Sequence, residues 1–146
     1  MPRRILVIED EAFIAMLMED TLLEAGYEVL TANNGETALR LAQSVSRLTA
    51  VVTGIDLSGG MTGQAVIRSL RQTMPGLPVV VVTGFHPSAR EADLRGIGGP
   101  TTRLEKPVAP EALLAGLAEV LADPHSRACR QLRRTRAAPS NDGSAW

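Results

Sequence analysis

The sequence predicts an α/β fold, a doubly wound, five-stranded parallel sheet with helices on both faces. Short apolar runs alternate five times with segments of helical periodicity along the chain. The runs are continuously apolar, as in the valines of residues 79–82, and such runs are typical of strands buried on both faces. Strands that alternate with helices form parallel sheets through right-handed crossovers. We therefore expect one parallel sheet between two layers of helices.

Length and composition limit the classes of protein to consider. The 146 residues suit one domain, which we place at residues 1–122, with an Arg-rich and flexible tail at 123–146. A net charge of −1 predicts no general attraction to nucleic acid or to membranes. The single cysteine, Cys129, rules out an internal disulfide framework and suits a reducing cytosol. Because we find no signal peptide and no apolar run of about 20 residues, we expect a cytoplasmic protein.

The individual strands and helices follow from local patterns. Strands are expected at residues 4–9, 27–32, 48–53, 79–83 and 101–104. Asn34 is placed to cap the second helix and Pro110 to begin the last one, while a short fourth helix is expected from Pro87. Helical spacing predicts that the first helix buries one apolar face, formed by Ile14, Leu17, Met18, Leu22 and Ala25. Gly26 suits the C-terminal cap of that helix.

Three acidic residues follow the first predicted strand. Glu9, Asp10 and Glu11 would lie at its carboxyl end, the edge where open α/β sheets bind ligands. Adjacent carboxylates repel one another, and a hard divalent cation such as Mg²⁺ is suited to offset them. The alternative is that the acids open the next helix, where they favour the positive end of its dipole. We favour the metal for Glu9 and Asp10, and the helix start for Glu11.

The tail carries a run of arginines between residues 127 and 136. The run can continue the last helix, or bind an acidic partner or nucleic acid, although charge runs are mostly solvated. We recognise no output domain after Asp123 and therefore expect a stand-alone domain with no specific DNA binding. Any binding of nucleic acid by the tail alone should be nonspecific and salt-sensitive.

Three short motifs resemble those of the receiver domain of two-component response regulators. They are Ile8-Glu9-Asp10-Glu11 after strand one, Thr83 at the end of strand four, and Lys106-Pro107 after strand five. The resemblance covers about residues 3–122 and implies the flavodoxin-like (βα)5 fold. It also implies a site that takes a phosphoryl group from a phosphohistidine. In that site Glu9 and Asp10 would bind Mg²⁺, and Thr83 and Lys106 would contact the phosphoryl oxygens.

The resemblance has a gap at the phosphoacceptor. In the family an aspartate at the end of strand three becomes the acyl phosphate, and by the intervals from Asp10 and to Lys106 that position is Gly54. Glycine has no side chain, so it can neither attack phosphorus nor hold the metal. The alternative acceptor is Asp56, which would require strand three to run two residues further, with Gly54 unfavourably inside it. In the family the residue at the position of Asp56 gives only its backbone carbonyl to the metal.

Three further positions concern how the family switches and meets its partners. Members often carry an aromatic residue on strand five, three residues before the lysine, which swings inward on phosphorylation, and here that residue is Arg103. Phe85, just after strand four, is either a partial substitute for this aromatic or a surface-loop residue that covers helix four. Pro107 shapes the loop after Lys106 and belongs to the same partner surface.

These features predict a protein of two-component (phosphorelay) signal transduction that is not an enzyme. We expect a single-domain receiver, degenerate at Gly54, whose Mg²⁺ affinity is weakened because one of the three usual carboxylates is missing. It would bind a histidine kinase, a histidine phosphotransfer protein or another regulator, and a homodimer is left open. The alternative is an active Mg²⁺-dependent phosphoacceptor that uses Asp56. A flavodoxin-like enzyme or nucleotide binder is disfavoured, since phosphate-binding folds place a glycine-rich loop where this chain has three acids.

Overall fold

The computed structural model of the protein describes residues 3–57, 59–84 and 99–122. In these ranges the chain forms five strands, namely β1 (Arg4–Ile8), β2 (Glu28–Ala32), β3 (Ala50–Gly54), β4 (Val79–Thr83) and β5 (Thr101–Glu105). The same ranges hold four helices, namely α1 (Ala12–Glu24), α2 (Gly35–Ser44), α3 (Gly63–Thr73) and α4 (Pro110–Leu121). None of the helices in these ranges is long and apolar enough to cross a membrane. The helix expected from Pro87 and the tail from residue 123 lie outside the described residues.

The five strands form one parallel sheet in the order β2-β1-β3-β4-β5, within the part of the chain that the structure describes. The predicted doubly wound sheet is thereby confirmed. Val7 of β1 pairs with Val52 of β3, and Gly54 of β3 pairs with Val82 of β4. The direction of winding reverses between β1 and β3, so the carboxyl ends of these two strands flank the usual ligand crevice of such sheets.

The side chains of the sheet pack into two apolar layers, one on each face, because successive residues of a strand point to opposite faces. Leu6 and Val51 pack with the buried faces of α2 and α3. Val7 and Val52 pack with those of α1 and α4 on the other side. Both faces of the sheet are therefore covered, which is why the strands read as continuous apolar runs in the sequence.

The signals for helix ends are found where the sequence predicts them. The Oδ1 atom of Asn34 accepts a hydrogen bond from the Thr37 N–H at 2.8 Å and caps α2. Pro110 is the first residue of α4, a position that needs no N–H donor. Gly26 follows α1 with φ at 95°, in the left-handed region that favours glycine.

Helix α1 packs on the sheet through fewer side chains than predicted. Met18 and Leu22 are buried and Ile14 is half-buried, as expected, but Leu17 and Ala25 are exposed, so the prediction for these two was wrong. The helix is apolar around most of its circumference, and spacing alone then does not identify the side that faces the core. The other apolar side faces solvent, and we call it the α1 stripe: Phe13, Met16, Leu17 and Leu23.

A buried arginine links the turn before β4 to the start of β5. Arg71 of α3 donates from Nε and Nη2 to the Leu77 carbonyl at 3.1 and 2.9 Å, and from Nη2 to the Pro100 carbonyl at 2.6 Å. Burial lowers the pKa of this guanidinium. Its hydrogen bonds hold the amino ends of β4 and β5 together, where the Pro100 carbonyl also accepts the Val79 N–H at 3.0 Å.

Candidate functional site

Four residues predicted to form the site lie together at the carboxyl edge of the sheet. Gly54 ends β3 and Thr83 ends β4, and both are buried. Glu9 follows β1 and Lys106 follows β5. Backbone hydrogen bonds extend the strand pairing to both residues, since the Glu9 N–H donates to the Ala32 carbonyl at 3.0 Å and the Lys106 N–H to the Thr83 carbonyl at 2.9 Å. The sheet thus assembles the site from four separate parts of the chain.

Glu9 is the buried charge of the site, with only 2% of the residue exposed. Its Oε1 atom lies 3.2 Å from Nζ of Lys106, and its Oε2 atom accepts a hydrogen bond from the Glu11 N–H at 3.0 Å. Burial, the largest effect, raises the pKa of this carboxyl and the neighbouring Asp10 side chain raises it further, while the hydrogen bond from Glu11 and the ammonium of Lys106 lower it. Oε2 is therefore hydrogen-bonded, whereas the buried Oε1 atom has an ion-pair contact with Lys106 but no hydrogen bond within the described part of the chain.

Lys106 is the cation of the site, and it is the only lysine in the sequence. Besides its contact with Glu9, its Nζ atom lies 3.9 Å from Oε1 of Glu11. The Lys106–Pro107 peptide bond is cis. Apart from the histidines, every other basic side chain in the sequence is an arginine. That count was a signal available from the sequence, and it singles out the position where a compact ammonium is used.

Gly54 leaves room for a side chain. A Cβ atom built on its backbone would lie 3.5 Å from Cδ2 of Leu57, 3.7 Å from Oε1 of Glu9 and 3.8 Å from the Val82 carbonyl oxygen. These are ordinary van der Waals separations, and the backbone here does not have the positive φ that favours glycine. Neither space nor conformation requires a glycine at this position. A larger residue would point toward Glu9.

At position 63, by contrast, a glycine is required because the backbone of β3 passes close to it, and no sequence pattern predicted this. Its N–H donates to the Ile55 carbonyl at 2.8 Å. A Cβ atom on Gly63 would overlap with the carbonyl oxygen of Gly54. The first turn of α3 therefore presses against the end of β3 and holds the loop that leaves the site. The only signal in the sequence was one glycine among several in that loop.

The other candidate residues are placed as follows. β3 ends at Gly54, and Asp56 is exposed in the bend beyond it. Asp10 is exposed next to Glu9, and Pro107 is exposed beside Lys106. Arg103 is half-buried in the middle of β5, paired with Val81 of β4. Phe85 lies outside the described residues.

The family model of the response regulator receiver domain matches residues 5–118. The chain belongs to the response regulator receiver family. The recognition made from the three motifs and the flavodoxin-like fold are thereby confirmed.

Two curated proteins are similar to this receiver over most of its length. It is 31% identical over 134 residues to the uncharacterised transcriptional regulatory protein YrkP of Bacillus subtilis, covering 92% of this chain and 51% of that protein. It is 37% identical over 122 residues to the response regulator MprA of Mycolicibacterium vanbaalenii, covering 83% of this chain and 51% of that protein. The chain thus spans about half the length of these two curated relatives.

Solved structures give the same result for the receiver fold. The chemotaxis protein CheY4 of Vibrio cholerae superposes with a TM-score of 0.74 at 28% identity, covering 82% of this chain and 99% of that one. A response regulator receiver protein from Sinorhizobium medicae superposes with a TM-score of 0.73 at 29% identity, covering 82% and 94%. Receiver domains are phosphoacceptor modules of two-component signalling rather than classical enzymes.

Receiver domains generally bind Mg²⁺ in their acidic pocket, but this receiver's residues do not fit that ion well. Glu9 is buried, with Oε2 hydrogen-bonded to the Glu11 N–H and Oε1 ion-paired with Lys106 but not hydrogen-bonded, and position 54 offers no carboxylate. Over residues 3–57, 59–84 and 99–122, no three His, Cys, Asp or Glu side chains are grouped so that they could hold a metal.

Proposed function

We propose that this receiver signals by binding a protein partner in one constitutive state, without being phosphorylated. The observation that carries this proposal is Gly54, which stands at the end of β3 beside Glu9, Thr83 and Lys106. A phosphoryl transfer needs an oxygen nucleophile in line with the leaving group, and glycine supplies none. The remaining groups of the site have no acyl phosphate to contact.

The proposed roles of the other site residues follow from the missing nucleophile at position 54. Thr83 and Lys106 stand where a receiver's hydroxyl and ammonium would hold phosphoryl oxygens, and Glu9 and Asp10 stand where its metal-binding acids would be. Asp56 remains the alternative acceptor, but β3 ends before it and its side chain is exposed beyond Gly54. The exposed position weakens that alternative, because a nucleophile must lie beside Thr83 and Lys106 to use them.

We place the partner surface on the α1 stripe. Phe13 is 70% exposed, and Met16, Leu17 and Leu23 are each at least half exposed. They recur at helical spacing along one side of α1, which begins directly after the acidic residues of the site. Large exposed apolar patches mark protein interaction sites, and this basis supports the α1 stripe as the partner surface. A helical bundle of a histidine kinase or a phosphotransfer protein would present a matching apolar face.

The proposal is tested by partner binding with and without a phosphodonor. The purified receiver is titrated against the histidine kinases and phosphotransfer proteins of its source cell, before and after treatment with acetyl phosphate and Mg²⁺. We expect the same Kd in both conditions, because no acyl phosphate forms. A partner whose Kd changes tenfold or so on treatment would contradict a constitutive binding state.

Replacing Phe13 with serine should weaken partner binding while leaving the receiver folded. Truncating a central aromatic of an interface costs about 2 kcal/mol, so we expect roughly a 30-fold rise in Kd. Because Phe13 is mostly exposed, the free energy of unfolding should change by less than about 0.5 kcal/mol. Gln43→Ser, at an exposed position of α2, is the matched control and should leave the Kd unchanged. Equal Kd values for both variants would place the partner surface elsewhere.

The site and the composition support two further parts of the proposal. The receiver is proposed to work in the cytoplasm, because a sequence with a single cysteine suits a reducing compartment.

Its folded domain is proposed to end near residue 122, where α4 has just ended. Limited proteolysis followed by intact mass should then release a fragment that ends shortly after Leu121, and cleavage first within α4 would contradict this boundary.

A further inference from the structure

The buried charge of the site is offset by a side chain of the protein itself. Among the described residues, the buried carboxylate is that of Glu9, and the ammonium of Lys106 reaches it at 3.2 Å, while the neighbouring Asp10 and Glu11 are exposed to solvent. A receiver with an aspartate at position 54 would hold a second carboxylate next to Glu9, since a Cβ at that position lies 3.7 Å from Oε1 of Glu9. Two buried carboxylates, which water does not screen as it screens the exposed Asp10, exceed what one ammonium can offset, and this favours a divalent cation.

We propose that Lys106 neutralises Glu9 in place of a divalent cation, so that an internal ion pair organises the carboxyl edge of this sheet. The inference rests on the proposed function, because it requires that Gly54 leaves the site one carboxylate short. It goes further by giving Lys106 a positioning role that does not involve a phosphoryl group. Lys106 holds the loop after β5 against the loop after β1.

The geometry of Glu9 supports this role. Its side chain is 1% exposed, whereas that of Lys106 is 28% exposed, so the ammonium approaches the carboxylate from the solvent side. The second oxygen of Glu9 is occupied by the Glu11 N–H. Oε1 has no hydrogen bond within the described residues, so the ion pair with Lys106 is the contact that offsets its charge. Glu11 offers Lys106 a second contact at 3.9 Å, but its side chain is 65% exposed, so water screens that contact.

The residue type supports it as well. Lys106 is the only lysine in a chain whose other side-chain cations, histidines aside, are all arginines. A lysine ammonium is a compact point charge on a flexible stem, whereas a guanidinium is a broad planar fork. A point charge suits contact with a single carboxylate oxygen, which is the contact found here.

Because there is one lysine, its side chain can be observed alone. In protein labelled with ¹³C and ¹⁵N only at lysine, NMR should show a single side-chain spin system. Glu9→Gln should move its chemical shifts, and Glu11→Gln, the matched control, should move them far less. Millimolar MgCl2 compared with NaCl of equal ionic strength should leave the wild-type signal in place. A saturable shift on adding Mg²⁺ to the wild type would overturn the proposal, whether or not the Glu9 variant folds.

Thermal unfolding provides a second readout. Mg²⁺ should change the Tm of the wild type and of Lys106→Arg by less than about 1 °C. In Lys106→Met the freed carboxylate becomes available, and occupancy of even a weak Mg²⁺ site should raise the Tm by about 4 °C. Equal rises in wild type and Lys106→Met would overturn the proposal. These measurements do not involve a phosphodonor, so they can fail while the proposed function stands, and labelling of the wild type by acetyl phosphate would reject the proposed function by itself.

Discussion

The Gly54→Asp variant is expected to accept one phosphoryl group per chain, whereas the wild-type protein accepts none. The new carboxylate would stand at the end of β3, between Glu9 and the hydroxyl and ammonium of Thr83 and Lys106. With Mg²⁺ present, an aspartate oxygen attacks the phosphorus of acetyl phosphate, the bond to the acetate oxygen breaks, and acetate leaves. Intact mass should show the addition of a single phosphoryl group.

Gly54→Asn is the matched control for this variant, since it has the same shape without the nucleophile. It should fold and stay unlabelled. Both variants should fold because a Cβ at position 54 meets only ordinary van der Waals contacts. If Gly54→Asp folds but takes no phosphoryl group, the site lacks more than its nucleophile, and the assigned roles of Thr83 and Lys106 would be wrong.

The same aspartate should destabilise the protein when no metal is added. It places a second carboxylate near the buried Glu9, and Lys106 offsets only part of the repulsion. We expect a loss of about 1 kcal/mol, or roughly 4 °C in Tm, relative to Gly54→Asn. Adding Mg²⁺ should recover the loss. An unchanged Tm in the absence of Mg²⁺ would show that the carboxylates do not interact.

Gly63→Ala is expected to be the most destabilising single methyl addition in the site region. The added Cβ would overlap with the carbonyl oxygen of Gly54, a backbone atom in a buried strand that has no rotamer by which to move away. Either β3 or the first turn of α3 must shift, and overpacking of this kind costs about 3 kcal/mol. Urea unfolding should show that loss, and the Tm should fall by roughly 10 °C.

Gly76→Ala is the control for this substitution. A Cβ at position 76 meets nothing within 4 Å, and the backbone there does not need a positive φ. The substitution should therefore be neutral or slightly stabilising through the unfolded chain. Similar losses for both alanine variants would mean that the contact between α3 and the end of β3 is looser than the structure indicates.

Much of the fold could be predicted because its signals are local. The valine run of β4, the cap at Asn34 and the proline at the start of α4 each determine structure through neighbouring residues. The position of Gly54 followed from its intervals to the acids and to Lys106, and the structure places it at the end of β3.

Other features depended on contacts between distant parts of the chain. The prediction that Leu17 faces the core was wrong, because α1 is apolar around most of its circumference and residue spacing alone then does not show which side is buried. The pairing of Lys106 with Glu9 requires the whole sheet to bring β1 and β5 loops together. The close approach of Gly63 to Gly54 and the burial of Arg71 are likewise set by packing, and no short sequence pattern marks them.

The central claim is that this receiver has no working phosphoacceptor, and intact mass tests it most directly. Wild type, Asp56→Asn and Gly54→Asp are incubated side by side with acetyl phosphate and Mg²⁺. We expect no added phosphoryl group on the wild type or on Asp56→Asn, and one on Gly54→Asp. A phosphoryl group on the wild type that is absent from Asp56→Asn would contradict the claim and would make the protein an active phosphoacceptor through Asp56.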